Sequence, residues 1–241
     1  MWAISIMCAM MLLAVVTAAP VPVLQQVASF QSAFGEAFAV ILATEIGDKT
    51  FFIAAVMAMR HSRFVTWSGA VAALVVMTVL STAVGHVAPL IIPGSRIYTH
   101  YAAAGLFLLF GVRMLREGFH ADSGASDELE EVELELAKKQ EQGEDGEDEL
   151  ASRSVLLQAF TLTFLAEWGD RSQIATIALA AAKEPFGVTL GACIGHALCT
   201  GLAVIGGKLL ASRISERTVL LSGGSLFVVF FLVSVIQGPA D

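Results

Sequence analysis

Two short segments carry the residue types that could do chemistry. The first is Glu45-Ile46-Gly47-Asp48-Lys49-Thr50, and the second is Glu167-Trp168-Gly169-Asp170-Arg171-Ser172. Each lies inside an apolar run. Phe38-Ala39-Val40-Ile41-Leu42 and Phe51-Phe52-Ile53-Ala54-Ala55 flank the first; Leu162-Thr163-Phe164-Leu165 and Ile174-Ala175-Thr176-Ile177-Ala178-Leu179 flank the second. An ionisable side chain at membrane depth is costly and marks a functional site with a partner close by. Glutamate and aspartate three positions apart share one helical face, so Glu45 is expected to point with Asp48, and Glu167 with Asp170. Thr50, Ser172 and Gln173 add neutral oxygens, and a helix loosened at Gly47 or Gly169 would free backbone carbonyls as further ligands. An all-oxygen set selects hard cations such as Ca2+, Mg2+ and Mn2+ over zinc or copper.

The charges suggest how such a site would work. Four carboxylates with Lys49 and Arg171 sum to minus two. One divalent cation neutralises that sum, and so do two protons. Crowded carboxylates hold protons when no metal is bound, so metal and protons are expected to compete for the same groups. The sum requires Lys49 and Arg171 to stay at the site rather than snorkel to the membrane surface.

The rest of the chain reads as the membrane scaffold for these segments. Of 241 residues, 56% are hydrophobic and 15% charged, against roughly a quarter charged in soluble domains. The net charge of -8 comes from an acidic stretch containing Asp127-Glu128-Leu129-Glu130-Glu131-Val132-Glu133 and Glu144-Asp145-Gly146-Glu147-Asp148-Glu149. Outside it the chain is slightly basic, and nothing points to nucleic acid as a partner. Three cysteines, Cys8, Cys193 and Cys199, give neither a disulfide framework nor zinc-site spacing.

The expected architecture is an all-α integral membrane protein with six transmembrane helices in two inverted three-helix repeats. Residues 1–19 form an uncharged apolar leader ending in small residues before Pro20, read as a signal peptide or an extra hydrophobic helix. The first repeat covers 30–116, with spans at about 30–59, 65–90 and 97–115. An acidic linker, read as a solvated tether, covers 117–153. The second repeat covers 154–237, with spans at about 155–182, 187–210 and 218–236.

An offset of 122 residues superposes the halves without gaps, as in Ala37/Ala159, Phe38/Phe160, Gly69/Gly191, Thr78/Thr200, Leu80/Leu202 and Gly85/Gly207. Three spans per half make the second half enter from the opposite face, the arrangement in which secondary transporters hold substrate at the repeat interface. Arg60, Arg63, Arg113, Arg116, Arg153, Lys208, Arg213 and Arg217 collect on one side, against Arg96 and Lys183 on the other. That bias places the linker in the cytoplasm and both termini outside or in a lumen.

Other polar residues break the repeat. Glu36 matches Gln158 and sits at the mouth of the first span, as a gate or a plain interface position. His196 lies mid-span and matches Leu74; it reads as a hydrogen-bonded packing histidine rather than a proton relay. His86 reads as interfacial. Gly69, Gly85, Gly191, Gly195, Gly201 and Gly207 read as sites of close helix packing.

The doubled Glu-x-Gly-Asp-(Lys/Arg)-(Thr/Ser) signature, in a six-span chain with an acidic linker, resembles the UPF0016 family over residues 30–237. Residues 45–54 and 166–179 match its two signatures. The resemblance implies a cation/proton antiporter that moves Ca2+ and Mn2+ into the Golgi lumen and supports manganese-dependent glycosylation. Chloroplast, vacuolar and plasma membranes are the alternative locations. It implies Glu45, Asp48, Glu167 and Asp170 as the metal site, supported by Lys49, Thr50, Arg171, Ser172 and Gln173. Ca2+, Mn2+ and H+ are then transported ions; no cofactor and no enzymatic activity are expected, and the lipid bilayer is the standing partner. Two other readings compete. A divalent-cation channel would use the same acidic ring. An intramembrane aspartyl protease would need Asp48 and Asp170 to share a proton, which the adjacent Lys49 and Arg171 and the preceding glutamates fit poorly.

Overall fold

A computed structural model describes residues 21–91, 95–121, 132–134, 148–211 and 215–238. The leader, most of the acidic linker and Arg213 lie outside the described residues. Among those described, eight long helices carry the fold: α1 (Val21–Glu45), α2 (Lys49–Arg60), α3 (Arg63–Ile91), α4 (Ser95–His120), α5 (Asp148–Ala166), α6 (Arg171–Ala182), α7 (Pro185–Ala211) and α8 (Glu216–Gln237).

The stretches 30–59 and 155–182, each expected as a single span, are broken within the two motifs. Gly47 and Gly169 have φ of 80° and 84°, a left-handed backbone that is nearly free for glycine and strained for other residues. Asp48 and Asp170 then adopt extended backbone and start α2 and α6. Each glutamate therefore ends one helix while its aspartate begins the next, and they do not share a continuous helical face. The Asp48 and Asp170 N–H groups donate to the Glu45 and Glu167 carbonyls, both at 3.2 Å.

These breaks also change the count of spans. By length and composition, four described stretches can each cross a membrane: 25–45, 63–89, 185–207 and 217–237. On the other side of the comparison, the apolar part of α5 is short, at 155–166. Helix α6 has 12 residues, about 18 Å at the helical rise. Helix α4 is long enough but carries Arg113, Arg116 and Glu117 near its end.

Packing crosses between the halves. A side chain at Gly191 would run into the Phe34 carbonyl, and one at Gly187 into that of Phe30. Helices α1 and α7 therefore lie in contact and run in the same direction. The repeat mate of the first contact is Gly69 against the Leu156 carbonyl, and Gly85 likewise abuts Ile177, so α3 runs alongside α5 and α6. Helix α3 is antiparallel to α7: Trp67 donates to the Ala197 carbonyl at 3.1 Å, while Thr78, about three turns further along α3, hydrogen-bonds Cys193, which lies earlier in α7. The equivalent helices α1 and α5 thus point in opposite directions. Gly201 and Gly207 are not close-packed in this way; Gly207 instead interrupts α7 with a φ of 50°.

Two apolar clusters grip the short helices. Phe51 to Ala58 of α2 are buried on every side against Val155, Ala159, Ala203 and Val204. Helix α6 contributes Ala175, Leu179 and Ala180 to a second cluster with Phe107, Phe110, Val188 and Phe227. A helix apolar all round is stable only when it is enclosed, and here the enclosure fixes the helix starts that carry the motifs. Val132 is also buried in the α2 cluster, so the linker is docked at that point rather than a free tether throughout. Leu80, Val84, Leu202 and Ile205 are exposed on the outer surfaces of α3 and α7, as lipid-facing positions would be.

Candidate cation site

The two breaks meet at mid-depth. His196, the middle residue of the apolar stretch 185–207, places its Nδ1 3.7 Å from Oε2 of Glu45. Around this point, one carboxylate oxygen each from Glu45, Glu167 and Asp170 lies within 4.8 Å of the others. Both glutamates are almost fully buried. Each is held by the hydroxyl that closes its own motif: Thr50 donates to Oε2 of Glu45 and Ser172 to Oε2 of Glu167, both at 3.4 Å. Oε1 of each glutamate is left buried without a hydrogen-bond partner. Such an atom is costly unless something else satisfies it, and a cation between the carboxylates is the partner that geometry offers.

The fourth carboxylate is employed differently. Asp170 caps α6, accepting from the Ser172 and Gln173 N–H groups at 2.8 Å each. Asp48 makes no side-chain cap bond to α2 and instead meets Nη2 of Arg171 at 3.5 Å. Arg171 reaches Oε2 of Glu117 on α4 with its other nitrogen at 3.8 Å. Arg171 therefore stays beside the carboxylates rather than snorkelling away, and Lys49 is half-buried at the head of α2. The Gln173 side chain accepts from the Gly169 N–H at 2.7 Å, which braces the break, and the residue also lines the cavity beside the cluster. With Asp170 committed to a helix cap and Asp48 to a guanidinium, the pair does not form a proton-sharing aspartyl dyad.

A small cavity of about 10 Å3 adjoins the cluster, lined by Leu74, Thr78, Ser81, Glu167, Ser172, Thr176 and His196 among others. It has room for about one water molecule. Further out, Nζ of Lys183 contacts Oε1 of Glu36 at 2.5 Å. His86, His100 and Lys183 line a larger cavity of about 340 Å3 on that side.

From the sequence, Glu117 falls in the acidic linker, Lys183 counts only among the basic residues of one side, and His196 reads as a hydrogen-bonded packing histidine. Its Nδ1 is instead buried without a hydrogen-bond partner. The available signal was that His196 breaks the repeat against Leu74.

Comparison with known proteins fixes the family. The model of the divalent cation/proton antiporter GDT1 family matches residues 33–122 and 155–241, both halves of the chain. The chain belongs to this family. It is 51% identical to GDT1-like protein 3 of Arabidopsis thaliana over 208 residues, covering 84% of this chain and 70% of that protein. It is 49% identical to GDT1-like protein 4 of Oryza sativa subsp. indica over 210 residues, covering 86% and 74%. GDT1-like protein 5 of Arabidopsis thaliana is 44% identical over 229 residues, covering 88% of this chain and 99% of its own length. No solved structure matches the chain. It is thus a multi-pass membrane protein of a divalent cation/proton antiporter family, and both signatures of that family fall at the helix breaks.

Proposed function

We propose that the chain exchanges Ca2+ or Mn2+ for protons across a Golgi membrane, through one site formed by Glu45, Glu167 and Asp170 with Asp48 at its edge. The observation that carries this reading is the three-carboxylate cluster of Glu45, Glu167 and Asp170, in which each glutamate keeps a buried Oε1 without a hydrogen-bond partner. Six crossings arise if the pairs α1–α2 and α5–α6 each act as one broken span and α4 crosses despite its charged end. Opposite directions in α1 and α5 then give the inverted repeat, in which a site at the broken helices can face either side in turn. Delivery of Mn2+ to the lumen would support manganese-dependent glycosylation.

The sign of the pH dependence follows from the site. Protons occupy the same oxygens as the metal, so apparent metal affinity falls as pH falls. The test is to add Mn2+ or Ca2+ to the purified protein in weakly buffered detergent and follow a pH indicator. Proton release on binding, absent from Glu45→Gln and Glu167→Gln, supports the reading. Metal binding at these residues without release of protons would remove the coupling.

A further inference from the structure

We propose that His196 is a nitrogen ligand of the transported ion and sets a preference for Mn2+ over Ca2+. This rests on the cation-site reading above and adds a donor that the two motifs do not contain.

The first argument is burial without satisfaction. His196 is 4% exposed, and its Nδ1 has no hydrogen-bond partner. At 3.7 Å, Oε2 of Glu45 is too distant to be that partner. A buried ring nitrogen left in this condition is expensive, and its position is informative. Two atoms bound to one ion at about 2.2 Å are roughly 3.1 Å apart when adjacent and 4.4 Å when opposite. The observed 3.7 Å lies between these limits. His196 also lines the cavity against Glu167 and Ser172, so it borders both motifs.

The second argument is asymmetry. The offset of 122 places Leu74 where His196 stands in the other half, and both line the same cavity. At this matched position one half offers the ion a nitrogen and the other a hydrocarbon side chain. A histidine needed only to fill space has its replacement written into the same chain. Calcium takes oxygen ligands in variable number, whereas Mn2+ shares that liking for oxygen but, as a first-row transition metal, also takes an imidazole nitrogen. An imidazole beside Glu45 at the edge of the three-carboxylate cluster adds a nitrogen that Mn2+ accepts and that calcium, which takes oxygen ligands, does not use.

The experiment is pulsed electron paramagnetic resonance of Mn2+ bound to the purified full chain, read for nitrogen-14 modulation. Wild type should show coupling to one imidazole nitrogen, and His196→Leu, which introduces the residue of the matching position, should lose it. In competition binding, His196→Leu should weaken Mn2+ by roughly tenfold and Ca2+ by less than about twofold. If His196→Leu fails to fold, His196→Asn and the wild-type spectrum alone decide the question. Mn2+ that is lost from Glu45→Gln and Glu167→Gln yet shows no nitrogen coupling in wild type overturns the inference and leaves the carboxylate site standing. Equal weakening of both ions by His196→Leu also overturns it. Mn2+ binding untouched by the glutamate variants would overturn the site reading beneath it.

Discussion

The two motif-bearing halves share a backbone and differ in what their side chains do. At both breaks a glutamate ends a helix, a glycine turns left-handed and an aspartate starts the next helix. Beyond that point they diverge. Asp170 spends its oxygens on the head of α6, while Asp48, at the head of α2, makes no such double cap and meets Arg171. The cavity beside the cluster is lined by Gln173, Thr176 and His196, whose mates at the offset of 122 are Phe51, Ala54 and Leu74. The outer ion pair Glu36–Lys183 has Gln158 and His61 as its mates. Duplication thus supplies the scaffold and the paired carboxylates. Divergence adds Gln173, Thr176 and His196 on the second half's side of the site and places charge at one end of the path.

Several perturbations would sharpen or break this contrast. The glutamates are where the halves should be equivalent. Glu45→Gln and Glu167→Gln should each reduce exchange to background in a vesicle flux assay, and survival of either would show that one motif suffices. The glycines should also behave alike. Gly47→Ala and Gly169→Ala force a side chain into positive φ and should each cost about 1–2 kcal/mol, read as a lowered thermal midpoint in detergent.

The aspartates should not behave alike. Asp170→Ala should lose about 1 kcal/mol of stability with its cap, whereas Asp170→Asn should retain most of it. Asp48→Ala should lose less than Asp170→Ala in the same unfolding assay, since it removes no side-chain cap. The smallest effect is the coupling of Asp48 to Arg171. A double-mutant cycle with Asp48→Asn and Arg171→Gln should return about 0.5–1 kcal/mol, because the pair is long and partly exposed.

Much of this was legible in the residues. The charged motifs inside apolar runs, their offset of 122 and the glycine at the centre of each announced a duplicated, broken-helix membrane site. What the sequence could not deliver was the partition of roles among four like carboxylates. A spacing of three residues implies a shared helical face only if the helix continues, and Gly47 and Gly169 end it. The ion pair at Asp48 depends on Arg171 reaching across from the other half, which is a tertiary fact. Glu117 and Val132 reach the site and the α2 cluster from segments with no motif of their own. His196 was visible only as a departure from the repeat, and its contact with Glu45 requires α7 of one half to lie against α1 of the other.

Proton flux from sealed, acid-loaded vesicles containing the purified protein tests the central claim most directly. With the membrane potential clamped, Ca2+ or Mn2+ added outside should drive proton release from wild type. Glu45→Gln and Glu167→Gln should show none. Cation entry without proton movement would contradict exchange at a shared carboxylate site and put a channel in its place.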